Sequence, residues 1–444
     1  MQENPEAPHQ GLRRPHRFHQ LISPRRWLQR VVFWGGAVAV AAAAILFAVG
    51  AEHVNELLHR ALGWSPYLPL LITPLGIAGV VAVTRHFPGS EGSGIPQTIA
   101  ALSVADHAAR TRLLSLRTVA GKIVLTLAGL ASGASVGREG PTVQIGAAIM
   151  HSIGGLARFS RHDVEKGLIL AGGAAGVAAA FNTPLAGIVF AIEEMSRSFE
   201  ARTSGTILTA VIVAGAASLA VLGDYTYFGH TSASLGFGES WIAVGVCGVA
   251  GGLFGGLFSY LLILVSRGLP GRLGAFVRER PVAFGAACGL LLAIIGLISG
   301  GTTYGTGYHE ARKIVESTEA MPAAYGALKL LATLVSYVSG IPGGIFSPSL
   351  AVGAGLGANL AIIMPYAPAA AVALLGMVAY FAGVIQAPIT AFVIVMEMTD
   401  NHEMVVPLMA AALIATGVSR LVCNVPLYRA LAQRFSKAPA PGEA

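Results

Sequence analysis

Gly137-Arg138-Glu139-Gly140-Pro141-Thr142-Val143-Gln144-Ile145-Gly146 returns, altered, as Gly344-Ile345-Phe346-Ser347-Pro348-Ser349-Leu350-Ala351-Val352-Gly353, 207 residues later. Pro184-Leu185-Ala186-Gly187 through Glu193 returns as Pro388-Ile389-Thr390-Ala391 through Glu397, at an offset of 204. Two independent motifs at nearly one spacing imply an internal duplication of about 205 residues. Two such units fill roughly residues 30–435, and the polar, Gly/Ser-rich stretch 223–240 divides them. The spacing leaves open whether the halves run parallel or inverted; inverted repeats are common in transporters with midplane sites.

Around these motifs the chain is apolar. Of 444 residues 54% are hydrophobic and 11% charged, where a soluble domain carries about 25% charge. That is too little polar surface for an ordinary cytosolic enzyme, a nucleic-acid-binding domain or a disordered chain. Full-length spanning candidates are 31–50, 206–222, 241–266, 282–299 and 404–422, each near the ~20 residues that a bilayer demands. Shorter apolar pieces lie between them: 66–84, 118–136, 141–157, 167–180, 184–192, 324–339, 348–364, 369–384 and 388–396. Many are too short to cross and suit broken or re-entrant helices buried in a bundle. The 56 glycines fit close helix packing. The expectation is an all-α polytopic membrane protein: a cytoplasmic tail over 1–30, a first membrane repeat over 31–222, a loop over 223–240, a second repeat over 241–432 and a short cytoplasmic tail over 433–444.

The net charge of +7 does not point to nucleic acid, because the basic residues are placed by topology. Arg13, Arg14, Arg17, Arg25, Arg26 and Arg30 precede the first run. Arg110, Arg112 and Arg117, then Arg267, Arg272, Arg278 and Arg280, lie between runs. Such bias marks the cytoplasmic side, which puts the N-terminus inside. Cys247, Cys288 and Cys423 lie far apart in apolar context and read as packing residues. His107, His151, His162 and His230 have no paired spacing, so no metal is expected. Neither a Walker A motif nor G-x-S-x-G is present, so ATP drive and acyl-hydrolase chemistry have no support.

Three segments set glycines before a proline and an apolar helix: Gly92-Ser93-Gly94-Ile95-Pro96, Gly137-Arg138-Glu139-Gly140-Pro141 and Gly343-Gly344-Ile345-Phe346-Ser347-Pro348. Proline is favoured at a first helical position. A helix N-terminus offers unpaired N–H donors and about +0.5 charge. Each segment alone reads as a helix-start turn. Three together, two of them repeat-related, read as an anion site made of partial charges. Glu139 aligns with Phe346, which makes it a candidate gate that takes the anion's place; the plain alternative is an acid capping its helix. Glu193 has Glu397 as its mate, so that pair reads as scaffold, capping helix ends. Glu194 aligns with Met398 and is the better functional candidate, near the cytoplasmic end; a surface salt bridge with Arg197 is the alternative. Lys122 and Arg138 read as structural cations paired with an acid or carbonyls, and Lys329 as one that snorkels.

GSGIP (92–96), GREGP (137–141), AAFNTPLAGIVFAIEE (179–194), GGIFSP (343–348) and PLY (426–428), in this order, resemble the chloride channel/transporter (CLC) family, most of all its bacterial proton-coupled exchangers. The resemblance covers about 30–435. It implies a homodimer with one anion pathway per subunit and two inverted halves, in the plasma (inner) membrane with both termini cytoplasmic. It assigns hydroxyls of Ser93 and Tyr428 and amides of Ile345 and Phe346 to a central chloride. It gives an outer site to amides of Arg138, Glu139 and Gly140. Glu139 matches the gating glutamate and Glu194 the internal proton-transfer glutamate; the latter favours chloride/proton exchange over a passive, voltage- or pH-gated channel. Ser93 points to chloride, where relatives with Pro prefer nitrate; fluoride exporters carry a different motif, and Tyr428 also argues against that branch. Gln97-Thr98-Ile99 departs from the family, which commonly has an acid there. No enzyme activity and no cofactor are implied; an intramembrane enzyme using Glu139 with Glu193 or Glu194 lacks any nucleophile or metal motif beside the acids.

Overall fold

The computed structural model describes residues 24–156, 162–196, 201–223 and 226–436. Residues 1–23 of the N-terminal tail, Arg197, and 437–444 of the C-terminal tail lie outside them. Among the described residues there are helices and no strands. Seven helical stretches are long and apolar enough to cross a bilayer: Arg30–Trp64, His107–Ala131, Val164–Phe181, Gly205–Leu222, Glu239–Ser266, Pro281–Ile298 and Val405–Val422. Shorter apolar helices such as Phe346–Ile362 and Pro388–Thr399 fill the space between. Leu71, Ile212, Leu253, Ile298 and Leu413 stand exposed on the outside of the bundle, the pattern of a protein whose solvent there is lipid. The chain is a multi-pass membrane protein.

Two expected limits move. The first helix runs Pro24–Trp64, so it begins inside the stretch read as a tail and continues well past residue 50. The last helix runs Leu427–Ser436, beyond 432. Both extensions carry charged or polar residues, which an apolar-run criterion truncates.

The duplication is physical. Glu139–Leu156 packs on His162–Phe181, and its mate Phe346–Ile362 packs on Ala369–Ile385. Both pairs close on glycine. A methyl on Gly146 would strike the Gly172 carbonyl, and one on Gly353 would lie 2.6 Å from the Gly376 carbonyl. Asn182 and Gln386, 204 residues apart, both take a left-handed φ of 57° ahead of Pro184 and Pro388.

A two-fold axis relates the halves, as inverted repeats require. Gly137 and Gly344 exchange two backbone hydrogen bonds of 2.7 Å each in an isolated antiparallel bridge. Equivalent residues that exchange both bonds are related by an approximate two-fold axis running between them. The axis therefore passes through the motif that first revealed the repeat.

Candidate functional site

The loops ahead of three helices are sewn together. Gly92 N–H donates to Ile341 O at 3.3 Å and Gly343 N–H to Gly92 O at 3.0 Å, beside the Gly137–Gly344 exchange. The helices Ile95–Ser103, Glu139–Leu156 and Phe346–Ile362 thus start around one point. Their first-turn amides have no carbonyl within their own helix to bond, and each end carries partial positive charge. The helices begin one or two residues before Pro96, Pro141 and Pro348 rather than at them. Proline is accommodated there because no amide of the first turn has an intrahelical partner to lose.

The approach is as tight as backbones allow. Gly94, at φ +100°, would put a Cβ 2.8 Å from the Gly140 carbonyl; a Cβ on Gly140 would strike Ser93 Oγ and lie 2.8 Å from Ser93 O. Gln97, where an acid is common in the resembling family, caps the helix start through a neutral amide. Its Oε1 accepts from Gly94 N–H at 3.1 Å, and its Nε2 donates to the carbonyls of Gly89 and Glu91.

Glu139 lies inside this junction, 1% exposed. Its Oε1 accepts from Ser347 Oγ at 2.6 Å and from the Tyr227 hydroxyl at 3.0 Å. Its Oε2 rests over Gly137 and has no hydrogen-bond partner in the protein. Ser93 and Tyr428 are both fully buried, adjacent, and each hydroxyl lacks a well-formed protein partner. Two unsatisfied buried hydroxyls at a convergence of helix N-termini are donors suited to an anion. Tyr337, Glu194 and Glu139 all lie near enough to Tyr428 to act on it electrostatically. The Phe346 ring packs against Phe381 at 4.5 Å, Phe181 at 5.7 Å and Phe190 at 5.9 Å. Ile345 is 1% exposed at the N-cap of the same helix.

Arg138 does not point into the junction. Its Nη1 donates to Ala48 O at 2.7 Å and its guanidinium lies 5.6 Å from the Tyr227 ring centre, so here its contribution to the junction is backbone. Lys122 Nζ donates to Gly92 O at 2.9 Å and Glu91 O at 3.2 Å. Lys329 corrects its reading: it does not snorkel but is fully buried, donating to Gly305 O at 2.8 Å and Thr303 O at 2.9 Å. A cation this deep needs several carbonyls to replace water. Lys122 and Lys329 stand 207 residues apart, the repeat offset, so one clamp occurs twice.

Glu193 and Glu194 part ways. They sit on a π-helical turn, Ala191–Ser196, of the kind that recurs at functional sites. Glu193 turns to the other repeat and accepts from Ile389 N–H at 3.1 Å and Thr390 N–H at 2.6 Å. Glu194 turns inward, 1% exposed, toward the Tyr428 side of the junction. The three cysteines are buried thiols.

Sequence reasoning missed Ser347, Tyr227 and Tyr337. Ser347 was within reach: it follows Phe346 in the repeated motif and aligns with Gly140. Tyr227 carries no local signal, since it comes from the inter-repeat loop and meets Glu139 only through folding.

A structure described as a slow cyanobacterial Cl⁻/H⁺ antiporter matches at 26% identity and TM-score 0.77, over 94% of this chain and 99% of that one. A CLC-type fluoride/proton antiporter shares the fold at 22% identity and TM-score 0.76, over 90% and 97%. A eukaryotic CLC transporter shares it at 18% and 0.74, over 93% and 76%. Residues 75–420 match the model of the family described as voltage gated chloride channel, and with that match the chain belongs to the CLC family.

Proposed function

We propose that the protein exchanges chloride for protons across its membrane, driven by ion gradients and without ATP or a cofactor. One observation carries this reading: an ionisable side chain, Glu139, occupies the point where three helix starts meet. A carboxylate there and a halide compete for the same donors, because both are compact anions that partial charges stabilise. A halide held by dipoles and hydroxyls, with no formal cation in the seat, binds weakly enough to leave.

In this mechanism chloride sits centrally between the Ser93 and Tyr428 hydroxyls and the amides of Ile345 and Phe346. Amides of Arg138, Glu139 and Gly140 serve an outer position when the Glu139 side chain withdraws. Glu139 Oε1 already accepts from two hydroxyls, so Oε2 is the oxygen assigned to take the proton. Glu194, buried and unmatched in the second repeat, passes that proton to the cytoplasmic side. Arg110, Arg112 and Arg117, with Arg267 through Arg280, define that side by the positive-inside bias, which leaves both termini cytoplasmic and the Glu52–His309 face outside. The plasma membrane and a homodimer are part of the same proposal.

Reconstitution in liposomes tests it. With a chloride gradient imposed, external pH should record uphill proton movement. Chloride flux with no proton movement would make the protein a channel, and absence of any flux would remove the transport reading. Glu139→Ala should keep chloride flux and abolish proton movement.

A further inference from the structure

Tyr227 is placed with more care than a loop residue needs. It is 2% exposed. Its ring meets Tyr308 at 4.9 Å, Phe228 at 5.0 Å and Phe181 at 5.3 Å, all edge-on. The Arg138 guanidinium lies 5.6 Å from the ring centre. The next residue is pinned too, Phe228 N–H donating to Met398 O at 2.9 Å. What this framework aims is one hydroxyl, at Glu139 Oε1 and 3.4 Å from Ser347 Oγ. Tyr227 also lines a cavity of about 290 Å³ with Glu52, Asn55, Arg138, Thr306 and Tyr308, so its ring stands between that cavity and the Glu139 carboxylate that its hydroxyl reaches.

We infer that Tyr227, with Ser347, is a positioning residue that latches the ionised Glu139 carboxylate in the anion seat and sets how readily chloride displaces it from the outer cavity. The inference rests on the exchanger reading. Hydroxyl hydrogen bonds to a carboxylate are charge-assisted and favour its ionised, seated form. They depend on its state: a proton on Oε2 weakens them to ordinary bonds to a neutral carbonyl oxygen, and a withdrawn Glu139 gives them up. Chloride arriving from the cavity must therefore compete against the seated carboxylate together with its two donors. The loop that joins the repeats thereby supplies part of the gate, although it belongs to neither repeated motif.

The test is the chloride dependence of flux in full-length protein reconstituted in liposomes, as a cycle over Tyr227→Phe and Glu139→Ala. One charge-assisted bond corresponds to roughly a tenfold change in an equilibrium. With Glu139 present, Tyr227→Phe should lower the half-saturating outer chloride by about tenfold or more, and Ser347→Ala should act in the same direction. In the Glu139→Ala background Tyr227→Phe should change nothing, because nothing remains to latch. The same shift in both backgrounds would make Tyr227 a chloride ligand or a packing residue and overturn the latch, and so would no shift in either. If Glu139→Ala leaves proton movement intact, the exchanger reading itself fails. If Glu139→Ala uncouples protons but the Tyr227 effect ignores the background, only the latch fails.

Discussion

Glu193 and Glu397 cap each other's helices. The Glu193 carboxylate accepts the amides of Ile389 and Thr390, and Glu397 accepts those of Leu185 at 3.0 Å and Ala186 at 2.7 Å. Each acid ends the helix whose start the other holds, which requires the two helices to be antiparallel. The bonds join the repeats and take no part in the junction around Glu139. Glu193→Ala or Glu397→Ala should each cost about 1–2 kcal/mol, the usual worth of a helix cap, and leave the proton-to-chloride ratio unchanged. Glu194→Gln should do the reverse. Thermal unfolding in detergent beside the liposome pH assay separates them, and full proton pumping by the Glu194 variant would defeat the inner route.

The Ser93 and Tyr428 hydroxyls are buried without good protein partners, a cost that a bound anion offsets. Ser93→Ala or Tyr428→Phe should lower the chloride-dependent rise in melting temperature, since a ligand stabilises according to its affinity. Ser93→Pro removes the hydroxyl and the backbone N–H together, and it should move the selectivity series toward nitrate. An unchanged series in flux measurements would take Ser93 out of the site.

The paired lysines make a matched comparison. Lys122→Met leaves the carbonyls of Glu91 and Gly92 without their cation, and Lys329→Met does the same to Thr303 and Gly305. Each loss should cost about 1–3 kcal/mol per carbonyl left unsatisfied. Only the Gly92 loop leads into the anion junction, so Lys122→Met should weaken chloride binding as well, while Lys329→Met should lower stability at unchanged affinity. Calorimetric titration of both variants with chloride reads the difference.

Motif spacing carried much of this. Glycine before proline, repeated at 207 residues, announces helix starts, and the mismatch of Glu139 with Phe346 marks the side chain that occupies their junction. The mismatch of Glu194 with Met398 likewise separates the inward acid from its scaffold neighbour Glu193. What spacing could not give is contact across the chain. Tyr227 reaches Glu139 from 88 positions away through a loop whose polar composition says only that it is a loop. Lys329 looked like a snorkelling lysine because apolar flanks do not reveal a turn of carbonyls folded onto its ammonium. The first and last helices reach residues 24 and 436, past the tail limits at 30 and 433, because apolar runs stop before helices do.

His309 gives the Glu52 end of the bundle a pH dependence. Its Nε2 lies 3.1 Å from Glu52 Oε1, and this hydrogen bond raises the His309 pKa above its ordinary value. A raised histidine contributes stability that is complete below its unfolded pKa of about 6.5 and is lost as pH rises through the folded value. The pair is about half exposed, so its worth stays within the roughly 0.2–1 kcal/mol of surface pairs. His309→Gln should lower stability at pH 5.5 more than at pH 8.5, read as melting temperature; equal losses at both would show that the pair does not titrate there.

Gly137→Ala tests the seat from below. Gly137 does not take a positive φ, so the strain that such a φ would impose on alanine is absent. Its new methyl, however, would strike Glu139 Oε2 and lie 3.1 Å from Pro348 Cδ. The carboxylate is the end of a flexible side chain and gives way before the proline ring does. The variant should therefore fold with its Gly344 exchange intact while Glu139 is pushed off its seat. Chloride then meets less competition, so its half-saturating concentration should fall and proton coupling should weaken, as in Glu139→Ala but partially. In the Glu139→Ala background Gly137→Ala should add nothing. A large additional effect there would mean that the methyl acts on the backbone junction itself and not on the carboxylate above it.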